Sequence, residues 1–114
     1  MIVELDDRAQ WRTWLAANHA TADSVWLVTS KKSAGKPRVD YDAAVEEALC
    51  FGWVDSKVRA VDGEHTSWYF TPRKPKSNWS ESNIARYEKL EAAGLMTDAG
   101  RACYPGRTDR SSVP

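Results

Sequence analysis

The strongest constraint on this chain is a pair of prolines, Pro72 and Pro75, placed directly behind the aromatic run Trp68-Tyr69-Phe70. Proline has no N–H to give to a ladder and its ring holds φ near one value. A strand carrying those aromatics must therefore stop, or become an edge, at Pro72. Three cations, Arg73, Lys74 and Lys76, sit on the stiffened stretch. A helix start follows them: Asn78 with Glu81 three residues later, or Ser80 itself, can accept the orphan N–H groups of a first turn. Ile84, Tyr87 and Leu90 continue that helix at helical spacing, and Gly94 is a natural stop. The stretch from Phe70 to Asn83 is thus read as a strand-to-helix junction.

The segment feeding the junction is a hairpin spanning Trp53–Thr71. Trp53 to Asp62 alternates well enough for a strand, and Asp62-Gly63 is a two-residue turn signal whose central positions favour positive φ. Such a turn puts Val61 opposite Glu64, Arg59 opposite Thr66 and Lys57 opposite Trp68, which makes the last pair a cation–π contact. Further upstream, Val25–Ser30 is rich in β-branched and aromatic residues and reads as a buried strand.

Two helices complete the scaffold. Trp11, Trp14 and Leu15 form an apolar stripe behind Asp6 or Asp7 as cap. Ala44, Val45, Ala48 and Leu49 form another behind Asp40 or Asp42, with Gly52 where a left-handed C-terminal cap belongs. The basic loop from Lys31 to Arg38 reads as solvated, or as a second anion-attracting edge. The fold expected is α+β: a small antiparallel sheet of about three strands packed by three helices. One domain covers residues 1–100, and residues 101–114 lack an apolar period and read as a disordered tail.

Composition narrows the function classes. Lys+Arg and Asp+Glu both total 16, so the net charge is zero, and only a local basic patch can serve nucleic acid. Six Trp in 114 residues call for half-buried positions at a groove or interface, where the indole N–H finds a partner. Cys50 and Cys103 have no metal-ligand spacing, so neither a zinc site nor a cofactor is expected. No secretory leader or membrane span is read, which makes the cytoplasm the default.

Four blocks of sequence carry a family resemblance. They are Trp14-Leu15 with Asn18-His19; Val25-Trp26-Leu27 before Lys31-Lys32; Glu47 through Asp55, containing Gly52-Trp53-Val54-Asp55; and Thr71-Pro72-Arg73-Lys74-Pro75-Lys76-Ser77-Asn78-Trp79-Ser80 with Gly94-Leu95-Met96-Thr97 downstream. Over about residues 11–101 the chain resembles the YdeI/OmpD-associated, bacteriocin-protection-like family. The resemblance implies a small bacterial α+β protein without an established activity, in an envelope-stress setting. It also implies a further helical region beyond Gly100, where this chain has its Pro/Gly/Ser-rich tail and looks truncated.

Three functions follow as expectations. The first is an anion-binding module for a nucleotide, a phosphorylated metabolite or a nucleic-acid backbone. In it Arg73, Lys74 and Lys76 attract the anion, Ser77, Ser80 and Asn83 donate hydrogen bonds, Trp79 and Trp53 stack on a ring, and Asp55 lies nearby. The second is a protein-interaction module built on exposed Trp residues. The third is an enzyme with Asp55 as general base and Arg73 as electrostatic stabiliser, for which no nucleophile–base pair is found. A structural role alone, with Ser80 and Asn83 capping the helix and Arg73 paired to Asp55, stands against all three.

Overall fold

A computed structural model describes residues 1–74 and 79–104. The described residues form an α+β fold in which four helices accompany a four-stranded mixed sheet. The strands are β1 (Ile2–Glu4), β2 (Val25–Ser30), β3 (Trp53–Ala60) and β4 (His65–Pro72), arranged β1-β2-β4-β3. The helices are α1 (Arg8–Asn18), α2 (Tyr41–Cys50), α3 (Glu81–Ala92) and α4 (Asp98–Cys103).

Two elements depart from the expected three strands and three helices. β1 is three residues long, too short to show a period, and it pairs parallel to β2, with Val3 opposite Leu27. The connection through α1 makes β1-α1-β2 a parallel crossover unit, so the sheet is mixed rather than antiparallel. α4 is capped by Thr97, whose hydroxyl accepts from the Gly100 N–H. It carries Arg101 to Cys103 into the fold, and Tyr104 is buried behind it. Residues 101–104, read as the start of a tail, are therefore part of the fold, and residues 105–114 lie outside the described residues.

The hairpin also differs in register. Asp62 Oδ1 accepts from the backbone N–H groups of Glu64 and His65, and Val61 N–H donates to His65 O. The turn is thus wider than two residues, Gly63 is not among the positive-φ glycines, and Arg59 faces Ser67 rather than Thr66. Lys57 accordingly meets Tyr69, not Trp68, with its ammonium 5.2 Å from the ring centre. A bulge between Asp55 and Lys57 takes the extra residue back, leaving Asp55 opposite Phe70 and Trp53 opposite Pro72.

One face of the sheet holds the core. Val25 and Leu27 of β2 and Trp68 and Phe70 of β4 pack there with Trp11, Leu15, Ala44, Ala48, Leu49, Tyr87 and Leu90 from the helices. Trp11 gives its indole N–H to Ala44 O at 2.9 Å and lies parallel to Trp14. Buried Thr29 is satisfied on both sides, donating to Leu5 O and accepting from Val39 N–H. The seam between α1 and α2 is ionic: Arg8 and Arg12 both reach Glu47, which is 2% exposed, and Arg8 and Lys89 reach Glu46.

α4 docks across the end of α2. Thr97 N–H and its hydroxyl both donate to Cys50 O. The helices approach so closely that a Cβ on Gly100 would fall 2.6 Å from Cys50 O and 2.8 Å from Leu49 O. Gly52 holds φ at +76° beneath Ala99 O, which is the left-handed stop expected for α2. Among the described residues no helix is long and apolar enough to cross a membrane.

Candidate functional site

The chain leaves β4 at Pro72, and Arg73 N–H donates to Gly52 O at 2.8 Å, which fixes the first residue of the junction. The Arg73 guanidinium lies over the Trp79 ring, 4.4 Å from its centre. Trp79 in turn stands edge-on to Tyr87 and Tyr104, which are stacked on each other at 3.8 Å and 6°. Three separate segments thus build one aromatic wall behind a single cation. α4 is held to α3 at this wall by Arg101, which forks onto both oxygens of Glu91 at 2.8 Å. Tyr87 donates to the same carboxylate, and burial together with that bond pushes its hydroxyl up to about 12.

Arg73 makes no ion pair with a carboxylate of the described residues. Burial pulls its guanidinium down from the ordinary value, and the negative charge of Asp55 acts in the opposite sense. Arginine stays protonated at neutral pH despite such a shift. Its Nε is buried without a hydrogen-bond partner among the described residues, and so is Nε1 of Trp79. Burial raises the neighbouring Cys103 thiol, and the Arg73 charge lowers it in part.

The other residues expected at the site are divided by the fold. Asp55 is not paired with Arg73: its Oδ2 accepts from the Tyr41 hydroxyl at 2.7 Å, and burial with that bond pushes Tyr41 up to about 12. Trp53 is 1% exposed, edge-on to Trp14, with its indole N–H on His19 O. It is a core residue and cannot stack on a ligand. Ser80 caps α3, accepting from Asn83 N–H at 3.2 Å, and the Asn83 side chain accepts from Arg86. Lys74 is exposed, while Lys76, Ser77 and the alternative cap Asn78 lie outside the described residues.

None of the six tryptophans is exposed. Trp11, Trp53 and Trp68 are buried, and Trp14, Trp26 and Trp79 are intermediate. The interaction surface was expected to rest on exposed Trp residues, and the structure instead leaves Trp14, Trp26 and Trp79 half-buried, with Trp26 outside the core cluster. Nothing in the sequence signals Tyr104 at the junction, since it stands before Pro105 in a stretch without period. Tyr87 was legible as part of the α3 stripe, but its partners were not. Among the described residues no group of three or more His, Cys, Asp or Glu side chains is arranged to hold a metal ion.

Residues 3–103 match the profile of a family described as a domain of unknown function (DUF8412). The chain belongs to that family. No curated protein and no solved structure matches it. The family match runs through β1 and α4, the two elements that periodicity alone leaves out.

Proposed function

We propose that this DUF8412 domain is a non-enzymatic binding module that takes an anionic group at the Arg73–Trp79 junction. The ligand class is a nucleotide, a phosphorylated metabolite or a nucleic-acid backbone. The observation carrying the reading is a half-buried guanidinium, stacked on an indole, that meets no carboxylate among the described residues and leaves an N–H donor unpartnered. Desolvating a cation without a counter-charge is unfavourable, and a phosphate or carboxylate would supply both the charge and the acceptor oxygens. Trp79 adds a second unpartnered donor beside it. The N-terminus of α3 contributes less than the sequence suggests, because Ser80 already satisfies one of its amides. The YdeI/OmpD-like resemblance adds a cytoplasmic, envelope-stress or bacteriocin-protection setting to the proposal.

A melting-temperature panel of phosphate, sulfate, citrate and adenine nucleotides tests it. A ligand present at about 100 times its Kd stabilises by about 2.7 kcal/mol. Arg73→Ala should abolish that shift and Arg73→Lys should retain part of it. The proposal falls if no anion raises the wild-type melting temperature, or if Arg73→Ala responds as the wild type does.

A further inference from the structure

The face of the sheet turned away from the core is the second feature that asks for a partner. Register places Ile2, Trp26, Tyr69 and Lys57 in one row across all four strands, and Glu4, Val28, Ser67 and Arg59 in the next. None of these eight belongs to the core cluster. On the two central strands Trp26 and Tyr69 touch, ring centres 4.8 Å apart. On the neighbouring edge strand, Arg59 lies 4.9 Å over Trp26 and Lys57 lies 5.2 Å over Tyr69. A groove of about 350 Å³ runs beside them, lined by Ile2, Trp26, Val28, Arg59, Val61 and Ser67 among others, with no helix residue contributing. Ile2 and Val61 are exposed at its rim.

We propose that this face binds single-stranded nucleic acid. Bases would stack on the Trp26–Tyr69 platform and on the planar Arg59 guanidinium, while Lys57 and Arg59 would meet the phosphates. Charge complementarity selects this occupant. Neither Lys57 nor Arg59 forms an ion pair among the described residues, whereas Lys36 and Arg38 are already matched with Glu64 and Asp40. Glu4, the carboxylate on the same face, stands on the far edge strand and is turned to His65 at 3.8 Å. The two free cations are two residues apart on β3, about 7 Å along a strand, so both can follow one backbone. Trp26 and Tyr69 are half-buried, and aromatics on the central strands of a sheet, flanked by cations, are a sequence-tolerant stacking surface for unpaired bases. Flat apolar packing against a second copy is disfavoured, because protein interfaces exclude unpaired charge from their centres.

This site lies across the sheet from Arg73 and stands independently of it. The test is fluorescence anisotropy with labelled oligo-dT and oligo-U single strands, a duplex of equal length and a free mononucleotide as competitor. Single strands should bind, the duplex more weakly, and the mononucleotide should compete poorly. Lys57→Ala/Arg59→Ala, which removes two exposed cations and should leave the melting curve near the wild type, should weaken binding at low salt by tenfold or more. It should also reduce the log–log salt slope by about 1.4, from about 0.7 per phosphate contact on a single strand. Tyr69→Ala should cost about 5- to 100-fold through lost stacking. The proposal is overturned if the wild type binds no single strand at low salt, or if the double variant binds equally well. It is also overturned if sedimentation shows a dimer that this double variant dissociates, which would make the face an interface between copies.

Discussion

Arginine is used in opposite ways at the α1–α2 seam and at the β4–α3 junction. At the seam, Arg8 and Arg12 converge on Glu47, with Arg8 and Lys89 on Glu46, so buried carboxylates meet cations whose outer ends stay partly hydrated. At the junction, Arg73 is laid against Trp79 with no carboxylate of the described residues in reach, and Asp55 is taken by Tyr41. The first arrangement is complete within the fold and explains how three helices hold their places. The second leaves a cation and two donors unanswered. Charge near a helix therefore says little by itself. What separates scaffold from candidate site is whether the charge is matched internally.

Breaking the seam should give the largest effect. Glu47→Ala leaves Arg8 and Arg12 without their shared partner, and loss of one side of a buried pair costs about 3 kcal/mol or more. Urea denaturation reads this directly, and a Glu47→Gln loss of similar size would assign it to charge rather than volume. Gly100→Ala comes next. Its Cβ would press on the Cys50 and Leu49 carbonyls, backbone atoms that cannot step aside, so a loss of about 2–3 kcal/mol is expected. Because α4 carries Arg101 and leads into Tyr104, that variant should also loosen the junction and reduce any anion-induced shift.

The seam has a pH signature in the acid range. Burial raises the Glu46 carboxyl, but hydrogen bonds from Lys89 and Arg8, with their charges, outweigh it and hold it below the ordinary 4.5. A carboxyl depressed in the folded state contributes stability that is present above its unfolded value and lost as pH falls through the folded one. The urea midpoint should therefore fall below about pH 4.5, and Glu46→Gln should flatten that part of the profile. The smallest stability effect belongs to Arg73→Ala. It removes an uncompensated cation along with a contact worth about 1 kcal/mol, so the fold should stay near wild-type stability while the anion response disappears. A large loss there, with no ligand effect, would make Arg73 a scaffold residue like Arg8.

Local signals predicted the elements whose information is local. The Trp11/Trp14/Leu15 stripe, the Val25–Ser30 strand, the α2 face and the Ser80 cap all follow from spacing and side-chain chemistry, and the structure has each of them. β1 and α4 escaped because three and six residues are too few for a period, and both are stabilised by what they pack on. The hairpin register slipped because the Asp62 carboxylate closes its own turn, a competition that the Asp-Gly signal does not rank. Asp55 and Trp53 are expected beside the junction in space, and register does set them opposite Phe70 and Pro72. Yet the Asp55 side chain bonds to Tyr41 and the Trp53 side chain is buried in the core.

By itself the sequence determined that an aromatic strand must end at Pro72, that a capped helix must follow near Ser80, and that cations must lie between them. Those are consequences of backbone chemistry within a few residues. Only the tertiary structure decided which charges are matched. A salt bridge joins residues brought together across the chain, and the 39 positions separating Arg8 from Glu47 are closed by packing alone. The same packing left Arg73 facing an indole, and it exposed Lys57 and Arg59 on a sheet face whose groove no helix among the described residues lines.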